Sequence, residues 1–318
     1  MVLLQKVGVS RVYCRKIVCY SQTMKKLSQE RIGEVTIFSS AVLWSLFPIL
    51  TILSFSGLPP MTSLAWVTFL SLLFFLCIAL VRSSWVNIFK KDILFPLLGA
   101  TLITGILYYV LFFFGLQRTS AGNAGILGTL EILFSFLFFN VWRKEFIDRK
   151  HIIGAIFMLL SAAIILSPNL SHIQIGDFFI LGAVFIVPLG NHLQKQLRKK
   201  MNSEQILFYR TLLATPALFL FVFLLGETIK VPTSEMWPVL LISGIVLFGF
   251  TKILWIESIH RIGVTKSISL SSVGPAFTLL FAFLILKDVP TLVQLLAIPL
   301  AILGVYFLTR PIAKVKND

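Results

Sequence analysis

Long apolar runs separated by short polar segments account for most of this chain of 318 residues. Each run has about 17–25 residues, which is enough for a helix to cross a hydrocarbon layer of roughly 30 Å. The pattern predicts an all-α integral membrane protein with ten transmembrane helices. They are expected near residues 35–54, 61–81, 93–115, 121–142, 151–167, 176–194, 205–225, 237–258, 264–286 and 291–309.

Composition argues against a soluble globular domain. Hydrophobic residues make up 57% of the chain and charged residues only 13%, with a mean hydropathy of +0.93, whereas soluble domains carry roughly 25% charged residues. A soluble core of this length could not hide so much apolar surface, because burial is limited by surface-to-volume scaling. The lipid bilayer is therefore the expected partner of the outer surface.

The net charge of +15 reflects membrane topology rather than nucleic-acid binding. With the N-terminus inside, 23 of the 28 Lys and Arg residues fall in inner segments, and only Arg118, Lys230 and Lys287 fall in outer loops. Such asymmetry is the positive-inside bias of membrane proteins. We therefore expect both termini in the cytoplasm, an even number of spans, a location in the cell (inner) membrane and no nucleic-acid partner.

The two halves of the chain resemble each other at an offset of 143 residues. The matching positions are Ile32-Gly33-Glu34 with Ile175-Gly176-Asp177, Arg118 with Arg261, and Lys144-Glu145 with Lys287-Asp288. Because five spans per half is an odd number, the second copy must enter the membrane from the opposite side. Inverted repeats of this kind are typical of secondary transporters, although a duplicated membrane scaffold would show the same pattern.

The repeat sets the predicted domain organisation. A basic cytoplasmic N-terminal tail covers residues 1–32, five-helix repeats cover 33–167 and 176–309, and a cytoplasmic C-terminal tail covers 310–318. The first 29 residues contain no acidic side chain. That composition is compatible with a cytoplasmic tail, with an upstream extension before a start at Met24, and with an organellar transit peptide.

Related motifs precede the last helix of each repeat. Residues 128–134 read GTLEILF and residues 272–277 read SVGPAF, and each is followed by a short basic–acidic turn, WRKE at 142–145 and LKD at 286–288. In these features the chain is similar to the EamA branch of the drug/metabolite transporter superfamily, over both repeats. One departure is Ile132, which stands where the family usually has a proline and where the second copy has Pro275.

The resemblance implies a secondary transporter of a small metabolite that works by alternating access, without a cofactor and without enzymatic activity. Relatives of this kind carry amino acids, nucleotide-linked metabolites or drug-like compounds. Two other classes stay open, a non-transporting membrane scaffold and a lipid-modifying membrane enzyme, of which the second would need clustered His, Asp or Glu side chains at one membrane face. Protons are the candidate coupling ion, and a homodimer is one of the open oligomeric states.

Glu131 is the strongest candidate for a site residue. At a rise of about 1.5 Å per residue it lies roughly 15 Å into its span, near the bilayer centre. A charge at that depth costs about 2.5 kcal/mol or more unless it faces water, has a partner or is protonated. We therefore expect Glu131 to bind a proton or a substrate amine, with a hydrogen-bonded structural glutamate as the alternative.

Further candidates come from the opening helices and from the other charged spans. Arg210 and Lys252 are the remaining in-span cations, and both are close enough to a span end to reach the headgroups instead. The proline-containing opening spans contribute Trp44 and Asn191. Small and kink-forming residues of the ninth span suit either helix packing or a cavity wall, and those predicted for the cavity are Ser271, Gly274 and Pro275. No catalytic or metal-binding residues are predicted.

Overall fold

A computed structural model of the protein describes residues 29–82, 85–138, 149–166, 175–262, 267 and 270–308. Nearly all of the two predicted tails lies outside these ranges, apart from residues 29–32, which already belong to the first helix. Every regular element in the described part is helical. In chain order the helices are α1 Gln29–Ser54, α2 Pro60–Arg82, α3 Lys91–Leu116, α4 Ala121–Phe136, α5 Arg149–Leu166, α6 Ile175–Leu197, α7 Ser203–Leu224, α8 Trp237–Ile262, α9 Gly274–Leu286 and α10 Leu292–Leu308.

Six of these helices are long and apolar enough to cross a membrane, namely α1, α2, α3, α6, α7 and α8. Shorter apolar helices among the described residues are α4, α9 and α10. Large apolar side chains such as Phe95, Phe185 and Phe223 are more than half exposed on the outside of the bundle. Since water would penalise such a surface, it is the surface expected of a protein whose solvent is lipid.

Helices at equivalent places in the two halves pack against each other and run antiparallel. In the α2–α7 pair, Arg82 at the end of α2 contacts Glu204 at the start of α7, while Glu227 after α7 accepts a hydrogen bond from Thr62 N at the start of α2. In the α5–α10 pair, Ser161 Oγ donates to the carbonyl of Ala297 at 2.9 Å. Packing in the α4–α9 pair brings Gly125 against Thr278.

The matching positions found in the sequence also make equivalent contacts. A Cβ atom at Gly33 in α1 would lie 3.1 Å from Arg261 Cβ at the end of α8, and a Cβ at Gly176 in α6 would collide with the backbone of Arg118 after α3. Only glycine allows the helices to approach this closely. Tight helix packing thus explains why the glycine recurs as Gly33 and Gly176 and the arginine beside it as Arg261 and Arg118.

Several helices are interrupted near their middle. α1 breaks at Ser45–Leu46 just before Pro48, and α9 begins after a turn at Ser272–Val273 just before Pro275. α4 breaks at Thr129–Leu130, the equivalent position, although Ile132 replaces the proline there. Widened π-helical turns occur at Thr101–Leu107 in α3 and Ile242–Phe250 in α8, shortly after Pro96 and Pro238. Because proline removes a ladder hydrogen bond, such interruptions are expected beside it.

The ion pairs among the described residues gather at one end of the bundle, which we call the ion-pair face. Its pairs are Arg82–Glu204, Lys200–Asp92, Arg198–Glu257 and Arg261–Glu257. They join the end of α2 to the start of α7, and the segment just after α6 to the start of α3 and to the end of α8. The direction therefore alternates from α2 to α3 and from α6 through α7 to α8.

Candidate functional site

A cavity of about 200 Å³ lies inside the bundle, between α1, α3, α4 and α6 on one side and α7, α8 and the α9 segment on the other. Residues of both repeats line it. The structure brings together all the side chains predicted from the sequence, since the lining includes Trp44, Glu131, Asn191, Arg210, Lys252, Ser271, Gly274 and Pro275. Residues separated by more than 200 positions in the chain thus share one internal space.

A chain of hydrogen bonds forms the polar wall of the cavity. Asn191 Nδ2 donates to Glu131 Oε1 at 2.7 Å, and Gln194 Nε2 donates to Thr104 Oγ1 at 3.2 Å and, more weakly, to Asn191 Oδ1 at 3.4 Å. Arg210 Nη1 in turn donates to Gln194 Oε1 at 3.2 Å. An anionic group is thereby connected to a cationic one through two amides on a single face of α6.

Glu131 owes its position to the break in α4. The helix restarts at Glu131 after the Thr129–Leu130 turn, so the carboxylate lies at a helix start, where negative charge is favoured. Its side chain is half-buried and lines the same cavity as Lys252. The sequence left two interpretations of Glu131 open, a binding residue and a hydrogen-bonded structural residue. Each fits part of this geometry, because Glu131 accepts a hydrogen bond and also lines an internal cavity.

Arg210 is buried inside the protein. Its side chain is only 4% exposed, and its Nε is buried without a hydrogen-bond partner among the described residues. An unpaired donor of a buried cation is costly, so a partner inside the cavity would stabilise it. This burial argues against the snorkelling alternative for Arg210.

Lys252 lies on an aromatic wall formed by α1, α3 and α8. Its Nζ is 3.4 Å from the centroid of the Trp44 ring and 5.9 Å from that of Tyr109. The ring of Phe47 also stacks on Trp44, with 4.4 Å between the ring centroids. A cation over an aromatic face is stabilised by the ring quadrupole, most strongly where water is excluded. The ammonium group is thus held inside the bundle rather than extended to the interface.

Glycines divide into two kinds along the cavity. A Cβ at Gly125 would lie 2.9 Å from Thr278 Cγ2, so this position packs α4 against α9. At Gly128 and Gly274 an added Cβ would meet nothing within 4 Å. The two interpretations of these small residues, helix packing and cavity wall, therefore apply to different positions. Gly125 packs two helices together, whereas Gly128 and Gly274 leave the cavity open.

Sequence reasoning missed Gln194, which links Asn191, Thr104 and Arg210. It lies three residues after Asn191, on the same face of a helix, and that spacing could have found it. Thr104 was harder to single out, because a lone threonine in an apolar span carries no pattern of its own. Among the described residues no group of three or more His, Cys, Asp or Glu side chains could hold a metal ion.

Among the described residues that line the cavity, the acidic and basic side chains are one carboxylate, Glu131, and two cations, Arg210 and Lys252. In their usual ionised forms the cavity has one net positive charge. A net charge in the middle of a bilayer is unfavourable, so the balance of the site favours an additional negative charge from outside.

Comparison with known proteins assigns the chain to a family. The model of the EamA-like transporter family matches residues 31–167 and again residues 174–310. An uncharacterized transporter of Methanothermobacter thermautotrophicus is 25% identical over 295 residues, covering 87% of this chain and 85% of the relative. The uncharacterized transporter YetK of Bacillus subtilis is 26% identical over 231 residues, or 68% of each chain.

A solved crystal structure shares the fold, with a TM-score of 0.66 at 19% identity, and the match covers 89% of this chain and 97% of the other. The family match spans most of the chain in two consecutive copies, and the helices have the length and apolar surface of membrane spans. The protein is therefore a multi-pass membrane protein that belongs to the EamA-like transporter family.

Proposed function

We propose that the protein is a secondary transporter that moves a small metabolite across the membrane by alternating access. The observation that carries this proposal is the cavity inside the bundle, to which both repeats contribute polar and charged side chains. A membrane scaffold produced by the same duplication would need no such cavity. A lipid-modifying enzyme would instead need its ionisable groups at one membrane face.

The proposal includes ten membrane spans arranged as two inverted five-helix repeats, at residues 33–167 and 176–309. Support comes from the antiparallel packing of α2 with α7, of α5 with α10 and of α4 with α9. In inverted-repeat transporters two similar halves exchange their conformations around a central site, which opens the site to one side and then to the other. The breaks in α1, α4 and α9 lie beside the cavity, where such motion would need to be absorbed.

We further propose that Glu131 couples transport to protons. Its carboxylate accepts a hydrogen bond from Asn191, and the residue lines the cavity together with Lys252. Proton relays within membranes are built from isolated carboxylates of this kind. Uptake of a proton by Glu131 would change the charge balance with Lys252 and so bias the site between its two openings.

Transport is tested with purified protein in proteoliposomes. Vesicles loaded with a mixture of metabolites are diluted into buffer, and efflux is followed by mass spectrometry against protein-free vesicles. We expect selective loss of one or a few compounds, which stops when Glu131 and Arg210 are both replaced by Gln. Equal retention of all compounds with and without protein, across pH gradients of both signs, would contradict the proposal.

A further inference from the structure

The charge balance of the cavity points to the class of substrate, an inference that rests on the proposed transport function. Glu131 accepts a hydrogen bond from Asn191, and Lys252 is held on the ring of Trp44 at 3.4 Å. Arg210 forms no ion pair among the described residues, and its Nε is buried there without a hydrogen-bond partner. A substrate with one negative charge would neutralise the site, whereas a zwitterion or a neutral compound would leave its excess positive charge in place.

The guanidinium of Arg210 is prepared to receive such a group. Gln194 holds Nη1 through a 3.2 Å hydrogen bond, which leaves the buried Nε without a partner among the described residues. Gly105 in α3 packs beside the Arg210 stem, where an added Cβ would lie 3.4 Å from Cγ. A guanidinium is a planar group whose paired donors match the two oxygens of a carboxylate.

Size and lining restrict the rest of the molecule. The cavity of about 200 Å³ is smaller than the roughly 300–1,000 Å³ typical of sites for drug-sized ligands, which disfavours a nucleotide-linked metabolite. Six aromatic side chains line it, namely Trp44, Phe47, Tyr108, Tyr109, Phe112 and Trp255. Trp255 lies one turn after Lys252 on α8, and its ring contacts no other aromatic ring among the described residues.

We propose that the cavity binds a small aromatic monocarboxylate, with the carboxylate on Arg210 and the ring against Trp255. Lys252 stays on the face of Trp44 and contributes positive charge at longer range. Gln194 is a positioning residue, because it acts through Arg210. An aromatic amine is rejected, since its ammonium would add to the positive charge of the site.

The test measures binding to the purified full-length protein by titration calorimetry with four matched compounds. They share a phenyl ring and a short chain: 3-phenylpropionate is an anion, phenylalanine a zwitterion, 3-phenylpropionamide neutral and 2-phenylethylamine a cation. We expect 3-phenylpropionate to bind most tightly and the amine not to bind. Tighter binding of the amide, the zwitterion or the amine, or no binding of any compound at millimolar concentration, would overturn the proposal.

Variants separate recognition from folding. Arg210→Gln should weaken 3-phenylpropionate binding by about tenfold or more, the usual effect of losing a hydrogen bond to a charged group, and leave amide affinity unchanged. Arg210→Lys keeps the positive charge but loses the paired donors of the guanidinium, so its affinity for 3-phenylpropionate should lie between those of the wild type and Arg210→Gln. This variant also provides a test if Arg210→Gln fails to fold. The matched control is Arg198→Gln on the ion-pair face, which should bind normally. Equal binding by wild type and both Arg210 variants would overturn the assignment.

Transport and substrate class fail separately in this design. If the efflux experiment in proteoliposomes finds that the transported compound is cationic, the proposed substrate class is wrong and the transport function stands. If 3-phenylpropionate binds through Arg210 but no compound crosses the membrane in proteoliposomes, the binding site stands and the transport function is wrong.

Discussion

At the scale of single residues, Glu131 joins the two properties expected of a coupling site, depth and a cavity-facing carboxylate. Its hydrogen bond from Asn191 at 2.7 Å would survive replacement by glutamine, because the amide oxygen of Gln accepts in the same way. The negative charge and the exchangeable proton would both be lost. Function and structure at this position can therefore be separated by a conservative change.

Glu131→Gln should leave membrane abundance intact while abolishing the pH dependence of flux, or flux itself. The measurement is the initial transport rate in proteoliposomes as the pH gradient is varied, with abundance followed by immunoblot. Glu235→Gln in the exposed loop before α8 is the matched control and should behave as wild type. A wild-type rate and pH profile for Glu131→Gln would make Glu131 a structural residue.

The contact of Lys252 with Trp44 should be measurable as a pairwise coupling. Cation–π pairs are worth about 0.5–2 kcal/mol, with the larger values where water is excluded. The test is a double-mutant cycle with Trp44→Leu and Lys252→Met. The loss of unfolding free energy in the double variant should be smaller than the sum of the two single losses by about the energy of the cation–π pair. The measurement is unfolding in mixed detergent micelles. Strictly additive effects would show that Lys252 gains nothing from the ring.

At the scale of helices, the approach of α4 to α9 depends on individual glycines. An added Cβ at Gly125 would lie 2.9 Å from Thr278 Cγ2, whereas one at Gly128, nearly a turn away, would meet nothing within 4 Å. The two positions belong to one helix and differ only in what faces them. They form a matched pair for testing the packing.

Gly125→Ala should destabilise the protein by about 1–3 kcal/mol, the usual cost of overpacking an interface. Gly128→Ala should be neutral or slightly stabilising, because alanine favours the helix and meets no neighbour. Thermal unfolding in detergent measures both. Equal melting temperatures for the two variants would contradict the close contact between α4 and α9.

A second contact between elements involves the loop after α7. Gly226 has a φ of +70°, which turns the chain at the helix end and brings Glu227 to the start of α2. There its carboxylate accepts hydrogen bonds from Thr62 N at 2.9 Å and Thr62 Oγ1 at 3.1 Å. Glu227 thus caps α2 from the other half of the chain.

Glu227→Ala should lower the free energy of unfolding by about 1 kcal/mol, since loss of a helix cap typically costs 0.5–2 kcal/mol. Substrate affinity should not change, because Glu227 is outside the cavity lining. Chemical unfolding of the variant is compared with that of Glu235→Ala from the same loop. A loss no greater than that of Glu235→Ala would mean that the cap contributes nothing.

At the scale of the whole molecule, the ion-pair face and the positive-inside bias describe the same end of the bundle. Arg82, Arg198 and Lys200 belong both to the predicted inner segments and to this face. We therefore expect the ion-pair face to lie in the cytoplasm. The opposite end contains Glu227 and Lys230, beside the start of α2.

Reporter fusions test this orientation. A reporter after Asp318 should be active on the cytoplasmic side and one after Ser171 on the opposite side, because an even number of spans returns the chain to the side on which it began. Paired reporters, one active only inside and one only outside, provide the internal control. A C-terminus found outside would contradict the arrangement of ten spans.

The sequence by itself determined the all-helical membrane class and the family resemblance. These depend on local quantities, the length and hydrophobicity of each run and the spacing of residues within a motif. The same kind of information singled out Glu131, Arg210 and Lys252, because a charge in an apolar run is conspicuous wherever the helix is later placed. Ten spans and their inversion were also predicted, and they stay a proposal.

Only the tertiary structure decided which of these residues meet. Asn191 faces Glu131, Gln194 joins the network to Arg210, and Lys252 lies on Trp44, and none of these contacts is local in the sequence apart from those within α6. The break in α4 without a proline, and the different surroundings of Gly125 and Gly128, likewise depend on the neighbouring helices. The physical reason is that periodicity sets the face of each helix, whereas the partner of that face is chosen by packing the whole bundle.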